Sequence, residues 1–124
     1  MQIEVSVGEI VDKYTILLIK ERRISEPTKL SNVTKERKYI ESILANQGFN
    51  HADFVDRLVA VNETLWDIED RIRIKEYHKQ FDDEFISLAR AVYHTNDERA
   101  RIKRELNEKT SSNFVEEKQY ADYQ

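Results

Sequence analysis

From Val7 onward the apolar side chains return every three or four residues. Val7, Ile10, Tyr14, Leu17, Glu21 and Ile24 alternate between the two spacings, and Val11 and Leu18 widen the stripe. That period belongs to an amphipathic helix, here predicted to run to about Ile24. Ser6, with Glu9 three residues later, has the form of a capping box that satisfies free N–H groups at the helix start. SEPT interrupts the pattern, with Ser25 as a cap and Pro27 suited to a first helical turn. A second helix is expected from there to about Gln47, with LSNVT able to delay its start. Its apolar face is thin: Leu30, Val33, Ile40, Ile43 and Leu44. Gly48 is a natural stop.

Asn50 can cap a third helix over roughly Ala52 to Lys79. Its main stripe is Phe54, Leu58, Val61, Leu65, Ile68 and Ile72. A neighbouring stripe of Val55, Val59, Asn62, Trp66, Glu69 and Arg73 starts apolar and turns polar halfway. One end of this helix should therefore meet two partners and the other should border a wetter region. FDDEF makes the next turn, with Asp82 or Asp83 as cap and acids near the positive end of the helix dipole. The fourth helix uses Phe85, Leu88, Val92, Thr95, Arg99, Ile102 and Leu106. Thr110 to Gln124 lacks a period and reads as an irregular strap, held by Phe114 and Tyr120.

These patterns predict an all-α fold: a bundle of three to four long antiparallel helices with an irregular C-terminal strap. Residues 1–124 form one domain. Two Gly and one Pro in 124 residues are too few for a sandwich or barrel. The thin face of the second helix is a surface that a homodimer would cover.

The formal net charge of −4, with bases spread along the chain, argues against nucleic acid as a partner. The chain has no cysteine, which excludes disulfides and thiolate chemistry. No apolar run reaches the length of a membrane span, and MQIEVSVGEI lacks the pattern of a secretory signal. A cytoplasmic protein without membrane contact is the expectation.

The stretch VYHTNDERA, Val92 to Ala100, breaks the rule of apolar burial, because the helical beat falls on Thr95 and Arg99. Three explanations compete. Thr95 and Glu98 can form a second capping box that splits the helix. Alternatively, Arg99 lies inside and pairs with an acid such as Glu21, the one charged member of the first helix's stripe. Or Thr95, Asn96 and Arg99 line a pocket. A buried guanidinium needs an acid, a ligand or solvent in every case.

Other residues suggest chemistry more faintly. Trp66, Glu69 and Arg73 share a face that would clamp a planar or anionic molecule. Lys13 and Lys20, one heptad apart, would add positive charge for a carboxylate or phosphate. Together Lys13, Lys20, Trp66, Glu69, Arg73, Asn96 and Arg99 make the candidate ligand site. Glu63, Asp67 and Asp70 fall on one face, which suits Mg²⁺ only if acids from a second helix converge on it. The plainer expectation is a solvated acidic face paired with Arg71 and Lys75, with no metal or cofactor. The acidic pairs of all-α nucleotide pyrophosphohydrolases, E-x-x-E then E-x-x-D, are met only in reverse order, by Glu9-x-x-Asp12 and Glu105-x-x-Glu108. His51, His78 and His94 lack metal-ligand spacing, and no catalytic constellation is complete.

GEIVDKYTILLIKERRI, LWDIEDRIR, FDDEFISLARAVYHTNDERARIKRELNE and VEEKQYADY together resemble a small all-α family of unknown function found in bacteria and their phages. The pair LWDIED and VEEK-x-Y carries the likeness, which spans nearly the whole chain. It implies that VEEKQY belongs to the domain, and it implies no mechanism. DKYTILLIKERRI also looks like the first helix of helical chorismate mutases, which hold a dianion with Arg and Lys. The nearest match to their D-x-x-R-E pattern is Asn32, Lys35 and Glu36, in which both the Asp and the Arg are replaced. The leading expectation is a non-enzymatic binding or interaction module. The alternative is a small helical-bundle enzyme or sensor for an anionic metabolite.

Overall fold

The computed structural model describes residues 1–123. Four helices follow one another: α1 (Val7–Arg23), α2 (Pro27–Ala45), α3 (Ala52–Tyr77) and α4 (Asp83–Lys109). No strand occurs among the described residues. The all-α bundle that the periodicity predicts is the fold observed.

The caps sit close to the expected places. Ser6 Oγ accepts the N–H of Glu9 at 3.2 Å. Glu9 does not complete the box by reaching back, because its carboxylate is taken by Lys103. α2 begins at Pro27, without the delay that LSNVT suggested, and Glu26 replaces Ser25 as its cap by accepting from Thr28 and Lys29. It ends at Ala45, before Gly48, with Asn46 as C-cap. His51 stands at the N-cap of α3 without a capping bond, while Asn50 accepts from Ala52 at 3.0 Å. Asp82 caps α4 through Phe85. α4 runs unbroken through Thr95, which ends the idea of a second capping box there.

α1 is the central helix. It packs on α2, α3 and α4, whereas α2 packs on α1 alone. Cross-helix pairs set the directions. Asp12 meets Asn62 and Arg23 meets Asp67, so α1 and α3 run parallel. Gly8 meets Asn107 and Asp12 meets Arg99, so α4 runs against α1. The apolar core joins Val11 to Phe54, Leu58, Ile102 and Leu106, with Leu44 and Phe49 packed against it. It fills the end of the bundle where α1 and α3 begin and α4 finishes.

Gly8 makes the α1–α4 approach possible. Its N–H donates to Asn107 Oδ1 at 2.6 Å, and the neighbouring N–H of Val7 donates to Ser112 Oγ at 3.1 Å. Asn107 at the end of α4 and Ser112 in the turn after it thus satisfy two N–H groups that the start of α1 leaves without helical partners. A Cβ on Gly8 would lie 2.7 Å from both Asn107 Oδ1 and the backbone oxygen of Lys103.

From Asn113 the chain runs back along α4 as an irregular strap. The strap is expected to hang on Phe114 and Tyr120, but both are exposed. The α4 surface beneath it is charged, so acids dock where aromatics cannot. Glu116 bonds Lys103 and Glu117 bonds Arg104. Tyr123 packs against Tyr93 and His94 and bonds Asp97.

Two predictions follow from this packing. Gly8→Ala should lose about 1–3 kcal/mol in urea denaturation, the usual cost of overpacking, while Gly48→Ala, with open space around it, should lose almost nothing. His51 packs edge-on against Phe49, itself packed on the core, with Nε2 buried and unpartnered. Burial pushes its pKa below the ordinary histidine value. The unfolded chain therefore takes up the proton first, and stability present above about pH 6.5 falls as the pH drops below it. The urea midpoint should decline between pH 7.5 and 5.5, and His51→Phe should flatten that decline.

Candidate functional site

One turn along α3 from core residue Leu58, at Asn62, the bundle interior becomes polar. Asp12, on the face of α1 turned to α3 and α4, is only 1% exposed. Arg99 of α4 grips its carboxylate with two bonds, Nε to Oδ1 at 2.9 Å and Nη2 to Oδ2 at 2.5 Å. Asn62 of α3 donates to Asp12 Oδ1 at 2.9 Å and to Thr15 Oγ1 at 3.0 Å. Thr15 in turn donates to the backbone oxygen of Asp12 at 2.7 Å. Each helix interior thus supplies its polar residue at the same height, and the three meet.

The polar beat in VYHTNDERA is explained by this network. Arg99 lies inside and pairs with an acid, as one sequence reading has it, but the acid is Asp12 and not Glu21. Glu21 faces α2, where Arg37 donates to it at 2.6 Å and Thr34 at 3.2 Å. The direction of α1 decides between them. Because α4 runs against α1, Arg99 meets the first half of α1, and Glu21 lies over two turns further on. The bonds to Asp12 raise the Arg99 pKa further, against the pull of burial. Lys103, one turn on, is strongly desolvated, yet its bonds to Glu9 at 2.9 Å and Glu116 at 3.0 Å outweigh that and raise its pKa.

Arg99 is fixed without being used up. Its Nη1 has no partner within the chain among the described residues, and the same holds for Asn62 Oδ1 although Asn62 is buried. Both residues line a groove of about 500 Å³ at the junction of α1, α3 and α4. Ile16, Ile19, Leu65 and Trp66 form its apolar walls, and Glu69, Asp70, Arg73 and Asn96 complete the lining. A second, more polar hollow of about 250 Å³ is also lined by Asn96 and Arg99, together with Glu9, Lys103, Glu116 and Lys118.

Five of the seven candidate residues therefore share one groove: Trp66, Glu69, Arg73, Asn96 and Arg99. Lys13 and Lys20 do not line it. Lys13 lies on the α2 side, 3.7 Å from Glu36. Lys20 is half-buried and makes no ion pair among the described residues. The acidic face on α3 is divided differently from the expectation. Glu63 is held by Arg22 at 2.6 Å and Asp67 by Arg23 at 2.7 Å, both across to α1. Arg71 and Lys75 serve the α3–α4 turn through Glu84 and Asp82. No group of three acids or histidines suited to a metal occurs among the described residues.

Asp12 and Asn62 were not singled out as site residues from the sequence. A signal for them existed. Asp12 directly follows Val11 inside the broadened stripe of α1, and Asn62 is the first polar member of the second stripe of α3. Read together with Arg99, they place polar groups on the inner faces of three helices.

A family of unknown function, DUF6165, matches residues 1–123, and the chain belongs to that family. No curated protein and no solved structure matches the chain. No helix among the described residues is long and apolar enough to cross a membrane.

The buried pair has a testable energetic signature. Arg99→Ala leaves the Asp12 carboxylate without its cation and should cost about 3–5 kcal/mol. The double variant Asp12→Leu, Arg99→Met removes both charges and should unfold at a higher urea concentration than Arg99→Ala. Equal or lower stability of the double variant would show that shape, rather than orphaned charge, dominates.

Proposed function

We propose that this chain is a binding module whose ligand is a small molecule seated in the α1–α3–α4 groove. The observation that carries the reading is the state of Arg99. Two bonds to a fully buried carboxylate hold the guanidinium in place, and Nη1, on a residue that lines the groove, makes no hydrogen bond among the described residues. A donor fixed before binding loses little freedom when a ligand arrives. Asn62 Oδ1 offers an acceptor on the same floor.

The chemistry of the floor defines the ligand class. Asp12 already balances the charge of Arg99, and Arg73 faces Glu69 at 3.4 Å with Asp70 nearby in the lining. The groove therefore holds no surplus positive charge for a dianion. It suits one carboxylate or carbonyl oxygen on Arg99, an adjacent N–H group on Asn62, and a flat apolar body against Ile16, Ile19 and Trp66. Arg23 stacks over the Trp66 ring at 5.5 Å and stiffens that wall. A guanidinium and an amide position and polarise a ligand without exchanging protons near neutral pH. This favours binding over acid–base catalysis. The second reading, a small enzyme or sensor for an anionic metabolite, draws on Glu69 and Asp70 as carboxylates in the lining.

The test is a thermal-shift screen of the wild type, Asn96→Ala and Arg99→Lys against planar monocarboxylates and amides, with dianions, nucleotides and Mg²⁺ as contrasts. Asn96 makes no side-chain bond within the chain among the described residues, so its replacement should leave the fold intact. A ligand at about 100 times its Kd should stabilise the wild type by about 2.7 kcal/mol, a rise of several degrees. The shift should shrink in Asn96→Ala and vanish in Arg99→Lys. Turnover of any of these compounds, abolished by Glu69→Gln or Asp70→Asn, would replace the binding reading with the enzymatic one.

A further inference from the structure

We propose that the cleft between α4 and the C-terminal strap binds one organic monocation of the methylated ammonium class. The inference stands apart from the α1–α3–α4 groove and does not rest on it. Val92, Tyr93, Asn96 and Asp97 fall at i, i+1, i+4 and i+5, so they share one face of α4. The strap crosses that face with Lys118, Tyr120 and Tyr123, leaving a cleft of about 650 Å³ between the two segments. Small-molecule sites commonly measure about 300–1,000 Å³.

The strap is pinned to α4 on both sides of Lys118 in sequence. Before it, Glu116 bonds Lys103 and Glu117 bonds Arg104. After it, Tyr123 rests against Tyr93 with ring centroids 4.8 Å apart, and its hydroxyl donates to Asp97 Oδ2. The planes of the two rings are inclined at 61°, which makes a corner rather than a closed stack. Tyr93 and Tyr123 remain 40% and 42% exposed, so this aromatic surface is held in place and still open.

Asp97 supplies the charge. Its Oδ1 makes no hydrogen bond, and no base pairs with it among the described residues. Asp56, Asp70 and Asp83 also lack an ion pair there, but they are exposed, whereas Asp97 is partly buried. A carboxylate shielded from water and without a cation attracts one. Lys118, the one base in the lining, is drawn elsewhere. Its Nζ lies 3.8 Å from Glu116 and 5.9 Å from the centre of the Tyr120 ring. That contact is a cation on a ring of this strap, made by the chain itself. The ligand class follows from the donors. One carboxylate offers too few oxygens for a metal ion. A methylated ammonium spreads its charge over a weakly hydrated surface that packs on rings, so it gives up little water on entering.

The experiment is an amide NMR titration of the full chain with choline and with its uncharged carbon isostere, neohexyl alcohol. Each is taken to about 20 mM at ionic strength held constant with NaCl. The variants are Asp97→Asn, which keeps an acceptor for the Tyr123 hydroxyl, Tyr93→Leu, and Asp56→Asn as a control acid outside the cleft. Choline should shift amides of residues 92–97 and 118–123 saturably, and the isostere should bind about 10-fold more weakly or worse. Asp97→Asn and Tyr93→Leu should each weaken choline about 5-fold or more, and Asp56→Asn should leave it unchanged. Absence of a saturable shift with choline overturns the proposal. So does an isostere that binds as tightly, or a set of shifts confined to the surroundings of Trp66 and Glu69, which would put the cation in the other groove.

Discussion

The bond between Asp12 and Arg99 is the constraint around which the interior is arranged. A carboxylate 1% exposed is tolerable only if a cation meets it with good geometry and its remaining lone pairs find donors. Arg99 supplies the first requirement through two bonds, and Asn62 supplies the second. The three residues lie on three different helices. Satisfying one buried charge therefore fixes the rotation and the axial position of α1, α3 and α4 together. An apolar layer at that height would hold the helices with similar strength but would tolerate a turn of slippage.

The same antiparallel run of α1 against α4 carries a series of polar contacts on either side of that bond. Gly8 meets Asn107, Glu9 meets Lys103, and Asp12 meets Arg99. The series begins with a helix start whose free N–H groups need acceptors and ends with a carboxylate that needs a cation. Lys103 also bonds Glu116, so the strap is tied into the series and closes one wall of the smaller hollow beside Arg99. α2 joins the bundle by a different device. Ile40 is its only buried apolar residue, and Arg37, held between Glu21 and Glu41, does much of the anchoring to α1. Hydrogen bonding to Arg37 holds the Glu21 carboxyl below its ordinary pKa.

The floor of the groove is a by-product of this arrangement. A guanidinium has five N–H donors, and a carboxylate can engage only part of them. Burying Asp12 beneath Arg99 leaves donors over, and two asparagines beside them keep unpaired capacity. In the proposed function, the groove is preorganised by an interaction whose first role is to hold the helices in register. On this view the polar stretch in α4 serves stability and recognition with the same atoms.

Approximate helix ends and the all-α class were determined by the sequence, because the three-and-four period and the caps are local properties of the chain. So was the presence of a polar irregularity at Thr95 to Arg99, and the shared face of Trp66, Glu69 and Arg73. Only the tertiary structure decided what those residues meet. Arg99 pairs with Asp12 and not Glu21 because α4 packs antiparallel on the first half of α1, and the helical period says nothing of direction or axial offset. Lys13 was separated from the groove by the side on which α2 lies. The strap was held by its acids rather than by Phe114 and Tyr120 because the helix face beneath it is charged. Faces can be read along one chain segment, but partners depend on how helices are turned and slid against each other. That choice is made by the buried charges as a set.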